Sequence, residues 1–293
     1  MNLRVFPPEE MIDGSVELPF SKSFANRAML IDVMAGTPLP LPDPALCGSD
    51  ILTMHRILSE VAASAPSAAV DGVNVVDVGD AGTAMRFLTA FFAASEGRRV
   101  ELRGSARMHC RPIGPLVDAL RSLGASVEWL GEEGFPPLAI EGRRLEGGEI
   151  EIDSSVSSQF VSALMMAAPL MEKGLVIRFR DVVASRPYIL LTAEIMKRRG
   201  IDVEPEPMSV TVAPGRYNAE STEWERDWSA AAFWAELCAV TAGFIGLEGV
   251  SRDSSQPDAA LIGLFAELGV GECEPDDDDD DDDDAGAAAA GAM

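Results

Sequence analysis

The sequence predicts a repeated α/β fold in which each unit carries one helix apolar on every side and one amphipathic helix. Two observations lead there. Four apolar helical segments open on small or hydroxyl residues near positions 21, 82, 157 and 229, at intervals of roughly 60 to 75 residues, the spacing of an internal repeat. A second set of segments, beginning at Arg111, Arg186 and Gln256, has proline near its start and glycine just past its end. Helix-end stereochemistry favours that arrangement. A helix apolar all round must be buried, so sheets are expected to wrap around it.

The elements follow in order. A short strand at Ser15 to Leu18 leads into Ser21-Lys22-Ser23, which opens an apolar helix through Leu30 and Met34. Ser23 and Arg27 are four apart and share a face, while Lys22 sits at the helix mouth. Hydroxyl, ammonium, guanidinium and open N–H groups make a cradle for phosphate or carboxylate. A capped helix with two solvent-facing charges fits those residues equally well. Next, Val75 to Gly79 reads as a strand and Phe87 to Ala94 as a buried helix, with Asp80-Ala81-Gly82-Thr83-Ala84-Met85-Arg86 as the turn between them. Glycine lets a ligand approach the backbone, and a helix start favours an anion. Arg86, three residues after Thr83, lies on the same side of the first turn. Taken singly, this is a glycine turn with an arginine; the recurrence of the pattern gives it weight.

Arg111-Pro112-Ile113 starts a helix ending at Leu123-Gly124, before a strand at Ala125 to Trp129. Ser157-Ser158-Gln159 opens the apolar helix Phe160 to Leu170, where hydroxyls and an amide serve either as caps or as ligand contacts. Arg186-Pro187-Tyr188 starts a helix ending at Arg199-Gly200, followed by strand-like Ile201-Asp202-Val203. Asp227-Trp228-Ser229 opens the fourth apolar helix, Ala230 to Val240, and Gln256-Pro257-Asp258 starts the last, ending at Leu268-Gly269.

Composition narrows the function. With 293 residues, 47% hydrophobic, the chain can build one or two packed domains. Its net charge is −25, nine negatives coming from Asp276 to Asp284. Such a chain is a poor partner for nucleic acid or anionic membranes, because phosphate backbones need a basic face. Any anionic ligand must be held by a local cluster of Arg and Lys. Cys47, Cys110, Cys238 and Cys273 form no CxxC, and His55 and His109 are the only histidines. A zinc site or disulfide framework is not expected, and a reducing cytoplasm fits. The first residues lack the long apolar core of a signal peptide, and no stretch has the length of a membrane span. The aspartate run and the Ala/Gly stretch after it cannot bury a core and are expected to be disordered; they lack the spacing of a calcium loop. A truncated or frame-altered end is the expectation for residues 275–293.

With these residues in hand, the sequence resembles the 5-enolpyruvylshikimate-3-phosphate (EPSP) synthase family, also called 3-phosphoshikimate 1-carboxyvinyltransferases. The resemblance rests on Leu18-Pro19-Phe20-Ser21-Lys22-Ser23 with Asn26-Arg27-Ala28, on Asp80 to Arg86, and on Arg111-Pro112-Ile113-Gly114-Pro115-Leu116. It continues in Ser155-Val156-Ser157-Ser158-Gln159-Phe160, Ser185-Arg186-Pro187-Tyr188-Ile189 and Pro257-Asp258-Ala259-Ala260. Six motifs in order are far more specific than one glycine turn.

The resemblance implies an inside-out α/β barrel of the enolpyruvyl transferase type, in two domains of repeated units. The first would span residues 20–222. The second, incomplete, would combine 1–19 with 223–274. The implied reaction moves the enolpyruvyl group of phosphoenolpyruvate to the 5-hydroxyl of shikimate 3-phosphate and releases phosphate, a cytoplasmic step toward chorismate and the aromatic amino acids. It needs no cofactor and no metal, and a monomer is implied. Carried over by motif, Lys22, Ser23, Arg27, Ser157, Ser158, Gln159, Ser185 and Asp258 would contact shikimate 3-phosphate. Lys22, Gly82, Arg86, Arg111 and Gln159 would contact phosphoenolpyruvate. Asp258 would be the base on the attacking hydroxyl and Lys22 the other catalytic group.

Both implied substrates are anions, which basic side chains and helix starts suit. Proton transfer to the enol carbon and from the hydroxyl requires a positioned acid and base. Three departures stand out. Asp80 replaces the family's Asn, and Phe87 its Pro. An Asn-Lys-Glu group, two arginines and a late lysine expected beyond the Asp258 helix have no counterpart, as in a C-terminally truncated member. Two other functions stay open at this point. One is a non-catalytic module binding shikimate 3-phosphate, or an unstable fragment of one. The other is the related transferase acting on UDP-N-acetylglucosamine, although Cys110, immediately before Arg111, is at the wrong offset for that enzyme's reactive cysteine.

Overall fold

The computed structural model describes residues 11–63, 73–153, 157–183, 185–220, 223–241, 243–269 and 271. The aspartate run, the Ala/Gly stretch, Cys273 and the Ser155-Val156 pair lie outside them.

In chain order the elements begin with β1 (Asp13–Glu17), α1 (Lys22–Ala35) and α2 (Ser49–Ala63). Two six-element units follow. The first runs β2 (Asn74–Asp77), α3 (Gly82–Ala93), β3 (Arg99–Arg103), α4 (Gly114–Ser122), β4 (Ser126–Trp129) and β5 (Leu138–Glu141). The second runs β6 (Gly148–Ile152), α5 (Ser158–Ala167), β7 (Leu175–Phe179), α6 (Arg186–Arg198), β8 (Val203–Glu206) and β9 (Ser209–Val212). The last elements are α7 (Trp228–Thr241), β10 (Phe244–Glu248), the 3-10 turn Pro257–Ala260 and α8 (Leu261–Glu267).

The two complete units share one topology. Their strand orders are β2-β3-β5-β4 and β6-β7-β9-β8, with the first pair parallel and the other two pairings antiparallel. A parallel pair requires a crossover, and here it is the all-apolar helix that makes it. Every residue of α3 is buried, as is every residue of α5 except Gln159. These two helices pack against each other at the centre of the core. The sheets cover them with alternating faces: Leu175, Ile177 and Phe179 of β7 point inward, while Arg178 points out toward Glu149 on β6. Ion pairs on that outer face are exposed, and each adds little.

The amphipathic helices end as their sequence dictates. Gly124 and Gly200 follow α4 and α6 with φ of 92° and 81°, left-handed values that glycine adopts without penalty. One helix start differs from expectation. Arg111 and Pro112 precede α4, which begins at Gly114 with Pro115 in its first turn, because a 3-10 turn at Met108–Cys110 leaves Arg111 extended. Likewise β8 starts at Val203, after Ile201 and Asp202. Helix α2 has no counterpart among the sequence expectations.

A third unit is built from the two ends of the described chain. Strand β1 pairs in parallel with β10, from Asp13 opposite Phe244 to Glu17 opposite Glu248, and α7 lies between them in the sequence. Among the described residues this sheet has two strands. Here the expectation of a fully buried apolar helix is not met. Only Trp228 and Ala231 of α7 are buried, and Phe233 and Val240 are 73% and 75% exposed. With two strands and α8 beside it, one flank of α7 is covered and the other meets solvent.

Where the chain passes between the first two units and the third, its two crossings run side by side. Ser21 N–H donates to the Glu225 carbonyl and Asp227 N–H to the Pro19 carbonyl, both at 2.9 Å. The Arg226 guanidinium lies 4.2 Å from the centre of the Phe20 ring and donates to the Leu18 carbonyl.

Candidate anion-binding site

Helices α1, α3, α5 and α6 present their first turns to one cavity of about 360 Å³. It is lined by Lys22 and Ser23 of α1, Asp50 of α2, Gly82 and Thr83 of α3, and Arg111. Arg27 reaches it from the second turn of α1, Ser157, Ser158 and Gln159 from the start of α5, and Ser185 and Tyr188 from the start of α6. A helix start carries partial positive charge and unpaired N–H groups. Four of them around one space favour a ligand with more than one negative group.

The local chemistry shows which N–H groups are open. Ser21 caps α1 by accepting from Phe24 N–H at 3.4 Å, and Ser157 caps α5 by accepting from Gln159 N–H at 3.2 Å. Helix α3 has Ala81 in the capping position and therefore no side-chain cap. Its first amides are left for whatever occupies the cavity. Ser185 precedes α6 with φ of 58°, the only non-glycine residue of positive φ among those described, and its hydroxyl makes no cap. Such a conformation costs energy, and it holds the Ser185 hydroxyl on the cavity wall.

Three arginines set the field. Arg27 is 2% exposed, and its Nε donates to Thr192 Oγ1 at 2.7 Å. Its Nη1 donates to the Ser23 carbonyl at 2.6 Å, and its Nη2 to Ser162 Oγ at 3.1 Å and the Tyr188 carbonyl at 3.4 Å. These partners leave one of its five N–H groups for a ligand. The Phe87 ring lies 5.2 Å from the guanidinium and completes this arginine's seat. Burial lowers its pKa to about 10, which keeps it charged at neutral pH.

Arg86 also falls to about 10, from burial first and the nearby Arg111 second. It does not line the cavity. Its Nη1 donates back to the Gly82 carbonyl and its Nη2 to the Pro112 carbonyl, each at 3.1 Å. Arg86 thus ties the first turn of α3 to the segment carrying Arg111, and Arg111 faces the cavity. The Arg111 guanidinium lies directly over Gly82. A Cβ placed there would come within 2.8 Å of Arg111 Cζ and closer still to Nη1. Only glycine leaves room for that stacking.

Nine sequence-predicted residues, Lys22, Ser23, Arg27, Gly82, Arg111, Ser157, Ser158, Gln159 and Ser185, are brought to one wall. Asp258 is not among the cavity-lining residues. It accepts a short hydrogen bond from Ser229 Oγ, and its charge acts on Tyr188. Burial, and then Asp258, raise the Tyr188 pKa above the usual tyrosine value. Three lining residues were not among the predicted contacts. Thr83 accepts from Gln159 Nε2 at 3.3 Å, linking α3 to α5. Tyr188 follows Ser185 by three residues, the spacing that brings both to one helix face. Asp50 sits at the start of the unforeseen α2. Among the described residues, no group of three or more His, Cys, Asp or Glu is placed to hold a metal ion.

A repeated α/β protein with an oxyanion cradle made from opposed helix starts defines the class. Comparison with known proteins gives the family: residues 7–287 match the family model of EPSP synthase (3-phosphoshikimate 1-carboxyvinyltransferase). A 3-phosphoshikimate 1-carboxyvinyltransferase of Bacteroides fragilis is 40% identical over 261 residues, covering 88% of this chain and 60% of the relative. One from Halalkalibacterium halodurans is 32% identical over 281 residues, covering 91% of this chain and 62% of the relative. The solved EPSP synthase of Acinetobacter baumannii superposes with a TM-score of 0.71 at 21% identity, over 87% of this chain and 60% of that one. The chain belongs to the EPSP synthase family and spans about 60% of the length of these relatives.

Proposed function

We propose that this chain binds shikimate 3-phosphate in the four-helix cavity and carries the enolpyruvyl-transfer site of its family, with phosphoenolpyruvate as second substrate. The observation that carries the reading is the convergence of nine motif residues on a single cationic cavity in a chain whose net charge is −25. In this reading Ser23, Arg27, Ser157, Ser158 and Ser185 hold the phosphate and ring hydroxyls. Gln159 spans both substrates. The open α3 start at Gly82, with Arg111 above it and Arg86 behind, receives phosphoenolpyruvate, and Lys22 lies between. The 5-hydroxyl gives up its proton toward Asp258 as its oxygen bonds to C2 of phosphoenolpyruvate. C3 takes up a proton, and loss of phosphate together with a proton from that same methyl carbon then restores the double bond on the transferred group. Buried arginines suit this chemistry because they meet developing charge in a site already organised for it.

The two-domain division, 20–222 against 1–19 with 223–274, is supported by the paired crossings at 19–21 and 225–227 and by the β1–β10 sheet. We propose, from the family resemblance, a monomer that works in the cytoplasm without metal or cofactor. Among the described residues no helix is long and apolar enough to cross a membrane.

Calorimetric titration with shikimate 3-phosphate, followed by phosphate release on adding phosphoenolpyruvate, tests the proposal. Binding with release is the expected result. Binding without release would assign the chain as a shikimate 3-phosphate-binding module, a reading favoured by one feature, the absence of Asp258 from the cavity wall. No binding would overturn both. The alternative of a UDP-N-acetylglucosamine transferase draws no support from Cys110, whose thiol is exposed, donates to the Ala106 carbonyl and does not line the cavity.

A further inference from the structure

Asp50 is the one carboxylate on a wall otherwise built from cations, hydroxyls and amides. Electrostatically it is out of place, since it repels the anion the rest of the cavity attracts. Its neighbour explains it. Lys22 Nζ lies 3.3 Å from Asp50 Oδ2, the ammonium coming from the first turn of α1 and the carboxylate from the first turn of α2. The Lys22 side chain is 54% exposed and that of Asp50 24%, so the carboxylate is the better fixed of the two. A lysine has four torsions and no planar fork, and without a partner its ammonium wanders through the mouth of the site.

The geometry points to Asp50 as a positioning residue that holds the Lys22 ammonium on the cavity wall and acts on ligands through it. This rests on the proposal that the cavity takes a phosphorylated anion. Two other roles are available to a carboxylate at this spot, and they behave differently. Direct repulsion of the ligand would make removal of Asp50 strengthen binding whatever stands at position 22. Support of the α2 start alone would lower stability without touching affinity.

The experiment is a double-mutant cycle on the full chain with Asp50→Asn, Lys22→Ala and both together. Affinity for shikimate 3-phosphate and, separately, for inorganic phosphate is read by calorimetry, and thermal unfolding is followed in each variant. Asp50→Asn is expected to weaken binding by about threefold or more, and to change nothing further once Lys22 is alanine. Asp50→Glu, which keeps the charge, is expected to recover part of the loss. Tighter binding in Asp50→Asn, an equal loss in both backgrounds, or a change in melting temperature alone would overturn the assignment. If inorganic phosphate binds and shikimate 3-phosphate does not, the substrate proposal fails while the cycle still decides the role of Asp50. If neither binds, both fall.

Discussion

Gly82 and Arg111 form a pair in which one residue's lack of a side chain gives the other its place. Gly82→Ala puts a methyl where the Arg111 guanidinium lies, so the arginine must swing away from the open amides of α3. Affinity of the shikimate 3-phosphate complex for phosphoenolpyruvate should fall about tenfold, the worth of one charge-assisted contact, with shikimate 3-phosphate affinity nearly unchanged. Equal loss for both ligands would count against the corner assigned to phosphoenolpyruvate. Arg86 teaches a related lesson. Its spacing from Thr83 suggested a guanidinium aimed at the anion, but sequence carries no sign that its donors turn back to the Gly82 and Pro112 carbonyls. Thr83 and Tyr188 lay inside motifs already noted. Asp50 could not be reached that way, because its helix follows a proline-rich stretch with no repeat signal.

Tyr217 offers a pH test at the same scale. Its buried hydroxyl donates to the Met166 carbonyl at 3.0 Å, and burial raises its pKa far above the usual value of 10. The unfolded chain gives up this proton near its usual value while the folded chain keeps it. The contribution of Tyr217 to stability is therefore whole below that pH and declines as pH rises beyond it. Tyr217→Phe should cost about 1 kcal/mol at neutral pH. The gap between variant and parent should narrow in denaturant titrations above pH 10, as the parent loses stability that the variant does not. A gap independent of pH would mean that the hydroxyl is not held as described.

At the scale of elements, α3 combines the deepest burial with an uncapped start. The sequence made its apolar character plain, and the same reading extended to α1, α5 and α7. For α7 it went too far, since apolarity states what a helix needs and the number of strands beside it decides what it receives. Ala81→Ser should supply the missing cap, stabilising the protein by roughly 0.5–1 kcal/mol. It should also weaken anion binding, because the new hydroxyl competes for the amides the ligand uses. Thermal melts and phosphate titrations together check this, and a gain in both properties would contradict the role given to the open start. In the core, Phe92→Ala should cost about 3–5 kcal/mol, its ring being 1% exposed among the central helices.

Across the whole molecule, packing is uneven. The two complete units share one continuous core that includes α1 and α2, whereas the third unit's cluster has only Leu18, Trp228 and Ala231 fully inside. Local opening follows the density of buried apolar contacts. Native-state hydrogen exchange should therefore find α3 and α5 amides opening only with global unfolding. Those of α7 and β10 should exchange at far lower free energies, and uniform protection would show that the third unit is stabilised by something beyond its cluster. The repeat itself was legible from the four recurring apolar helix starts and from the helices that open near a proline and end before a glycine. That the N-terminal strand joins residues after 223 came only from the family resemblance, and its pairing with β10 could not be read from the residues, because strand pairing across the full chain leaves no periodic trace.

That partnership sets an order of events. Residues 13–17 leave the ribosome before every other described element, yet their partner at 244–248 is made only after both complete units. Closing a loop that long from a random coil is slow and entropically costly. Once the intervening units have folded, however, their crossings bring Pro19 and Asp227 within one hydrogen bond, and the effective loop shrinks to a few residues. The first strand synthesised is then the last to be paired, and the folded body between acts as the template that joins it to β10.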